Sequence, residues 1–269
     1  MIALMLAAGI GKRLYGEGET EPPKALLEFE GKTLLERHVD ILRACGVEEL
    51  VMVLGYRHEE IEAEIKRIDA GDFVRTLFNA DFHDGPILSF WTARGLLTSG
   101  EDIVFMDADV LYPPQLMARL IEAPEPNAFL FDQAIELGED PVRLCLRAGH
   151  VVEFGKMIEG EFDAVGEWPG FMKMSGGIAA KVAAAAGRRI EAGEIDATYE
   201  VAMRDVLLDE AAGTFGWTDI SDIPWIEIDF PSDLLRARER IIMQVAAVDQ
   251  GDGDEISETP RRAEGVSGE

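Results

Sequence analysis

Apolar runs of strand length alternate with amphipathic segments through the first half of the chain. Strands are predicted for the apolar runs at residues 2–6, 49–54, 73–78 and 102–107. Helices are predicted where apolar residues recur at helical spacing, at residues 33–45, 57–69, 86–98 and 113–122. Residues 7–32 and 79–85 are predicted loops. Since a helix follows each strand, the connections are parallel crossovers, and this half predicts an α/β fold.

The pattern becomes less regular after residue 126. It predicts a strand at 128–131, a hairpin from 142–147 and 151–154, helices at 178–192 and 198–212, strands at 214–219 and 225–229, and a helix at 231–247. Residues 249–269 have almost no apolar side chains and cannot bury enough surface to offset their ordering entropy. We therefore expect one domain over residues 1–248 and an acidic, disordered tail over 249–269.

The charge of the chain restricts its partners. It carries 52 acidic and 25 basic residues, a formal net charge of −27, which argues against nucleic-acid binding because phosphate backbones are bound by clustered cations. No apolar run approaches about 18 residues and no signal-peptide pattern opens the chain, so no membrane partner is expected. Cys45 and Cys145 lie in apolar contexts and are interpreted as free thiols, which favours a cytoplasmic location.

The loop after the first strand has the composition of a phosphate-binding cradle. Small residues let backbone N–H groups approach an anion, and Lys12 and Arg13 follow at once. Lys24 comes after a Pro-Pro pair that stiffens the loop. The candidate nucleotide-binding residues of this segment are Leu6, Ala7, Ala8, Gly9, Gly11 and Lys12.

Two other glycine-loop patterns do not fit. A dinucleotide-binding loop needs a glycine three residues after Gly11 and an acidic residue at the end of the next strand. Position 14 is Leu, and the next strand is followed by Gly55. A Walker loop needs Gly-Lys followed by Ser or Thr after four spacer residues, which is also absent.

Two strands end in pairs of carboxylates. Asp107 and Asp109 follow the apolar run at 102–107, and Glu227 and Asp229 end the run at 225–229. Alternation along a strand places both members of a pair on one face, at the carboxyl end where α/β sheets collect ligands. Mg²⁺ takes one or two carboxylates and completes its shell with phosphate and water. The pairs therefore predict a Mg²⁺ site, and helix caps or solvated turns are the alternative for each pair alone.

The glycine loop and the Pro-Pro-Lys-Ala-Leu segment at 22–26 together resemble the signature of the nucleotidyltransferase superfamily that activates phosphorylated small molecules. This superfamily contains the sugar-1-phosphate nucleotidylyltransferases and the phosphocholine cytidylyltransferases, and the resemblance to the latter is the closer one. It runs from residue 1 to about residue 240. It implies an α/β, Rossmann-like three-layer sandwich with a mixed, mainly parallel central sheet.

The resemblance also implies roles for the carboxylates and cations. Asp109 and Asp229 match the family's metal-binding aspartates, and Lys24 and Arg13 complete the catalytic set. Asp107, on the nucleotide side, and Glu227, on the acceptor side, either support these ligands or bind another ion.

Two further segments resemble the family's substrate-binding stretches. Asn79 and Ser89 match the nucleobase side and favour CTP, with local turn and helix-surface roles as the alternative. Lys156, Glu167 and Trp168 match the acceptor side, where a lysine neutralises phosphate and an aromatic face suits a quaternary ammonium.

The sequence thus predicts a Mg²⁺-dependent enzyme that transfers a nucleoside monophosphate from a triphosphate, with CTP favoured, and releases pyrophosphate. Phosphocholine, 2-aminoethylphosphonate, inositol phosphate and sugar 1-phosphates are the candidate acceptors. A catalytically silent nucleotide-binding regulatory protein is the alternative of another class, and the retention of Lys24, Asp109 and Asp229 argues against it. A homo-oligomer is left open, because no segment identifies an interface.

Overall fold

The computed structural model describes residues 1–16, 20–134 and 140–249. These residues form fourteen strands and ten α-helices. The strands are β1 (Ile2–Ala7), β2 (Glu28–Phe29), β3 (Lys32–Thr33), β4 (Glu49–Leu54), β5 (Val74–Phe78), β6 (Ile103–Asp107), β7 (Val110–Leu111), β8 (Ala128–Phe131), β9 (Arg143–Arg147), β10 (His150–Gly155), β11 (Ala164–Glu167), β12 (Phe171–Met174), β13 (Gly216–Asp219) and β14 (Ile226–Glu227). The helices are α1 (Lys12–Tyr15), α2 (Leu34–Ala44), α3 (His58–Arg67), α4 (Pro86–Thr92), α5 (Arg94–Leu97), α6 (Pro114–Ile121), α7 (Gly176–Glu191), α8 (Tyr199–Asp209), α9 (Pro231–Arg236) and α10 (Ile242–Asp249).

The central sheet has seven strands in the order β13-β8-β12-β6-β1-β4-β5. All neighbours pair in parallel except β12, which runs antiparallel to both β6 and β8. The four strands predicted in the first half are β1, β4, β5 and β6, and their parallel pairing is the one expected from helical crossovers. The predicted mixed, mainly parallel sheet is confirmed.

Helices cover both faces of this sheet and create two separate cores. Alternation along β1 sends Ala3 and Met5 into one core and Leu4 into the other. Helices α2, α3 and α6 supply the first core, and helices α4, α5, α7 and α8 supply the second. The result is the expected three-layer sandwich, with the carboxyl ends of β1 and β6 at one edge.

Strand β12 was not predicted as a strand. Its four residues are all buried, so it lacks the alternation of polar and apolar positions that marks a half-exposed strand. Even Lys173 is buried, where its Nζ donates to the Ile121 and Ala123 carbonyls at the end of α6. This ammonium satisfies carbonyl groups that the last helical turn leaves unpaired.

Other differences concern element ends and short elements. The predicted helix 86–98 is interrupted at Ala93, and a π-helical turn, Ala237–Ile241, lies between α9 and α10 within the predicted helix 231–247. The predicted loop 7–32 contains α1, a 3₁₀ turn at Lys24–Leu26 and β2. Except for Asp249, the predicted tail lies outside the described residues. No helix in the described part of the chain is long and apolar enough to cross a membrane.

His38 is a buried polar residue of α2, and it is expected to make stability depend on pH. Its Nε2 donates to the Ala108 carbonyl at 3.2 Å, so Nδ1 accepts from the Tyr112 hydroxyl at 3.2 Å. Burial lowers the pKa of His38 from 6.5 to about 4. Between these values the unfolded chain binds a proton that the folded chain does not, so folding should lose on the order of 3 kcal/mol as pH falls from 6.5 to 4.

Urea unfolding of the wild type and His38→Gln at pH 7.5, 6 and 5 measures this contribution. The variant should be less stable at pH 7.5, but its stability should fall less on acidification. Equal losses in both proteins would show that His38 is not the titrating group.

Candidate active site

The candidate site is a cavity of about 460 Å³ at the carboxyl ends of β1 and β6. Its walls include most of the residues predicted from the sequence. Those that line it are Leu6, Ala7, Ala8, Gly9, Gly11, Lys12, Arg13, Lys24, Ser89, Asp107, Asp109, Lys156, Trp168, Glu227 and Asp229. Residues from seven separated segments of the chain thus meet at one edge of the sheet, where α/β folds bind ligands.

The glycine loop forms the wall that continues from β1. Gly11 has a φ of +75°, a left-handed conformation that favours glycine, and it precedes the short helix α1. A Cβ atom at Gly9 would meet no atom within 4 Å, so the backbone there is open to a ligand. The loop therefore presents backbone groups beside the cations Lys12 and Arg13.

Lys24 lies at the centre of the charged part of the cavity. Its Nζ is 2.9 Å from Asp109 Oδ2 and 2.6 Å from Asp229 Oδ1. Burial lowers the pKa of Lys24, but the charges of Asp109 and Asp229 outweigh that effect and raise the pKa above its ordinary value. The ammonium therefore stays charged at neutral pH and links two carboxylates that are distant in sequence.

A two-stranded antiparallel ribbon brings these carboxylates together. Strand β14 pairs with β7, with Glu227 opposite Val110, and the Ile228 amide donates to the Asp109 carbonyl at 3.0 Å. Directly after the ribbon, the Asp233 carboxylate accepts from the Phe230 amide at 2.8 Å and fixes the start of α9. Asp229 is thus held between a strand pair and a helix start.

Three carboxylates in this region fit a divalent metal ion. Asp109, Glu227 and Asp229 each offer an oxygen within 4.8 Å of the other two. An all-oxygen set of this kind suits Mg²⁺ or Mn²⁺ rather than zinc. Burial and the nearby charges of Asp109 and Asp229 raise the pKa of Glu227 well above its ordinary value. A bound divalent cation would relieve this repulsion, so the residues present fit the metal.

Asp107 is held by contacts that the sequence did not indicate. The Tyr199 hydroxyl donates to Asp107 Oδ2 at 2.5 Å, and Gly170, with a φ of +90°, lies directly against the carboxylate. Burial, followed by the charge of Asp109, raises the pKa of Asp107 well above its ordinary value. Tyr199 comes from the first turn of α8, and Thr198 and Glu200 beside it also line the cavity.

Asp140 is another site residue that sequence reasoning missed. Its Oδ2 lies 3.0 Å from Arg13 Nη1 and 2.5 Å from Lys156 Nζ. Arg13 also contacts Asp229 Oδ2 at 2.8 Å through Nη2. Asp140 thereby connects the nucleotide side of the predicted site to its acceptor side. A single aspartate in an irregular segment carries no local signal for such a position.

Asn79 and Glu167 lie outside the cavity lining, although both had been predicted as ligand-binding residues. Asn79 is buried, and its Nδ2 donates to Ser89 Oγ at 3.1 Å, so it orients a residue that does line the cavity. Glu167 is buried beside Asp132, with which it exchanges backbone hydrogen bonds. Trp168 lines the cavity but also belongs to the aromatic core, and its Nε1 donates to the Phe171 carbonyl at 2.7 Å. The binding roles of these residues stay predictions.

A sheet-edge cavity with a glycine loop, basic side chains and a carboxylate cluster is typical of α/β proteins that bind phosphorylated ligands. Residues 3–156, more than half of the chain, match the MobA-like NTP transferase domain. The chain belongs to this family.

Individual relatives are similar over most of the chain. The bifunctional IPC transferase and DIPP synthase of Rubrobacter xylanophilus is 29% identical over 93% of this chain, which spans only 54% of that relative's length. The CTP:phosphoglutamine cytidylyltransferase of Campylobacter jejuni is 24% identical over 87% of this chain and 98% of its own. The solved structure of the inositol-1-phosphate CTP transferase from T. maritima has a TM-score of 0.72 at 20% identity, over 93% of this chain and 96% of that one. This last similarity shows the fold.

Proposed function

We propose that the protein transfers CMP from CTP to a small phosphorylated or phosphonate acceptor, such as phosphocholine, and releases pyrophosphate. The observation that carries this proposal is the position of Lys24 between Asp109 and Asp229, next to the glycine loop. The activities for which the Campylobacter and T. maritima proteins are named support CTP as the nucleotide. The catalytic unit in this proposal is residues 1–248, and the free thiols of Cys45 and Cys145 fit a cytoplasmic location.

The reaction in this proposal needs positioning and charge neutralisation rather than a general base. An acceptor phosphate oxygen is already ionised near neutral pH, and it forms a bond to the α-phosphorus of CTP. The bond from that phosphorus to the oxygen bridging to the β-phosphate breaks, and pyrophosphate leaves with the electron pair. The two oxygens must lie on opposite sides of the α-phosphorus, which the cavity would achieve by binding CTP and acceptor at its two ends.

The cationic residues are assigned to the phosphates of the two substrates. Backbone amides at Gly9 and Gly11, together with Arg13, would hold the triphosphate. Lys24 would contact the α-phosphoryl group, where negative charge increases during transfer. A Mg²⁺ ion on Asp109 and Asp229 would supply further neutralisation of that charge.

The acceptor end is assigned to Lys156, Trp168 and Glu227. These residues line the cavity together with Tyr199 and Glu200. Lys156 would neutralise the acceptor phosphate, and the aromatic and acidic side chains suit a cationic head group such as choline. Inositol 1-phosphate is a second candidate acceptor, supported by the activity for which the T. maritima protein is named. A sugar 1-phosphate is the third.

A substrate matrix tests the proposal directly. CTP, UTP, ATP and GTP are each combined with phosphocholine, 2-aminoethylphosphonate, inositol 1-phosphate and glucose 1-phosphate in Mg²⁺, and pyrophosphate release is measured. We expect CTP to exceed the other nucleotides by at least about tenfold in kcat/KM with one of the first three acceptors. Reactions without acceptor provide the background.

Preference for UTP with glucose 1-phosphate would contradict the proposed nucleotide and acceptor class. Nucleotide binding without pyrophosphate release from any pair would favour the catalytically silent regulatory protein instead.

A further inference from the structure

The ammonium of Lys24 contacts two of the carboxylates that would bind a metal ion. It contacts Asp109 Oδ2 and Asp229 Oδ1, and these two residues belong to the three-carboxylate group that fits a divalent cation. A divalent cation close to these oxygens would share two carboxylates with Lys24 and would be repelled by the ammonium. Lys24 and the metal therefore compete for the same carboxylates.

The backbone around Lys24 holds the ammonium in this place. Pro23 has a restricted φ, and Lys24 begins a 3₁₀ turn in which the Leu27 amide donates to the Lys24 carbonyl at 3.0 Å. The Lys24 side chain is only 13% exposed, and Asp109 and Asp229 are 19% and 12% exposed. The ion pairs are thus poorly screened by solvent, so displacing the ammonium without another anion to bind it is costly.

Arg13 strengthens the same arrangement. Its guanidinium contacts Asp229 Oδ2, the oxygen that Lys24 leaves available. Both oxygens of Asp229 are therefore paired with cations from the nucleotide side of the cavity. A triphosphate would offer Lys24 and Arg13 new anionic partners and would release Asp109 and Asp229 for metal binding.

We propose that Lys24 excludes divalent metal from Asp109 and Asp229 until a nucleoside triphosphate draws its ammonium away, so that metal and nucleotide bind as a coupled pair. This inference rests on the proposed function only in taking a triphosphate as the polyanion. The coupling is reciprocal, because any factor by which the nucleotide tightens metal binding is also the factor by which metal tightens nucleotide binding. Removal of the Lys24 charge should abolish the exclusion and leave the carboxylates open to metal alone.

Metal binding by Lys24→Met tests this without any turnover. Mn²⁺ is titrated into the wild type, Lys24→Met and Lys32→Met, and water-proton relaxation reports Mn²⁺ bound to protein. Lys32 is a matched control, because its Nζ also contacts an aspartate, Asp40 at 2.6 Å, but on the exposed surface. Without nucleotide, Lys24→Met should bind Mn²⁺ at least about tenfold more tightly than the wild type and Lys32→Met.

A double variant shows whether the gain belongs to this site. Lys24→Met combined with Asp229→Asn should lose the added affinity, and circular dichroism establishes that each variant is folded. If Lys24→Met does not fold, Lys24→Gln takes its place in the same titration. Wild-type binding of Mn²⁺ alone that is as tight as in the Lys24 variants would overturn the exclusion.

A second Mn²⁺ titration is made in the presence of α,β-methylene CTP, which is not cleaved at the reacting bond. It should increase the protein-bound Mn²⁺ relaxation signal of the wild type at least about tenfold, and it should change that of Lys24→Met much less. An absence of this increase in the wild type would overturn the coupling. Failure of the substrate matrix would instead contradict the proposed function and leave the nucleotide-free comparison unaffected.

Discussion

Asp109→Asn should lower the rate of pyrophosphate release by about 10³-fold, the size of effect seen when a residue that stabilises transition-state charge is removed. The substitution keeps the shape of Asp109 but removes one of the three carboxylates that fit the metal and one of the two that hold Lys24. Urea unfolding should change by less than about 1 kcal/mol, because Asp109 also lies beside Glu227 and its loss relieves repulsion between like charges. Steady-state kinetics in Mg²⁺ and urea titrations measure the two effects.

Asp222→Asn is the matched control for this variant. Asp222 is a surface aspartate whose carboxylate pairs with Arg119, and neither residue lines the cavity. It should retain the wild-type rate with a stability change of no more than about 1 kcal/mol. Pyrophosphate release by Asp109→Asn at close to the wild-type rate would remove Asp109 from the mechanism.

Gly170→Ala should reduce activity on the order of 10²-fold, because a displacement of about 1 Å in a catalytic site can cost that much. A Cβ atom at Gly170 would lie 2.5 Å from Asp107 Oδ2, which forces the carboxylate or the backbone to move. Movement of Asp107, the last residue of β6, would disturb its hydrogen bond from Tyr199 and the position of Asp109, which follows two residues later. Kinetics with saturating CTP and acceptor isolate the effect on kcat.

Gly149→Ala is the control that distinguishes the effect of the Cβ contact with Asp107 from the effect of backbone strain. Gly149 has a φ of +79°, similar to the +90° of Gly170, but a Cβ atom there would meet nothing within 4 Å. Both variants should lose on the order of 1–3 kcal/mol of stability from the left-handed backbone. Only Gly170→Ala should lose most of its activity, and equal activity in the two variants would show that Asp107 tolerates the displacement.

The elements with a regular pattern were predictable from the sequence. Strands β1, β4, β5 and β6 are short apolar runs separated by helices, and each stands where the pattern indicates. Helix α2 begins one residue after its predicted start, because Thr33 caps it by accepting from the Glu36 amide. Strand β12 was missed because it is buried on both faces, so no alternation distinguishes it from an irregular segment.

Some residues of the candidate site could be predicted from the sequence and others could not. Lys24, Asp109 and Asp229 could be found because each stands in a motif or at the end of an apolar run. Tyr199 and Asp140 could not, because one lies in an ordinary helix start and the other in an irregular segment. Asn79 is a third case, because it stands in a motif but does not line the cavity. Its side chain donates to Ser89 instead.

By itself, the sequence determined the local chemistry of this protein: a small-residue loop beside cations, and strands that end in carboxylates. These features depend on residues that are neighbours along the chain, so their geometry follows from backbone preferences. Only the tertiary structure decided that Lys24 lies between Asp109 and Asp229, because that meeting depends on the pairing of β7 with β14. Each of these strands has two residues, too few for a local pattern, and hydrogen bonds between distant segments fix their register.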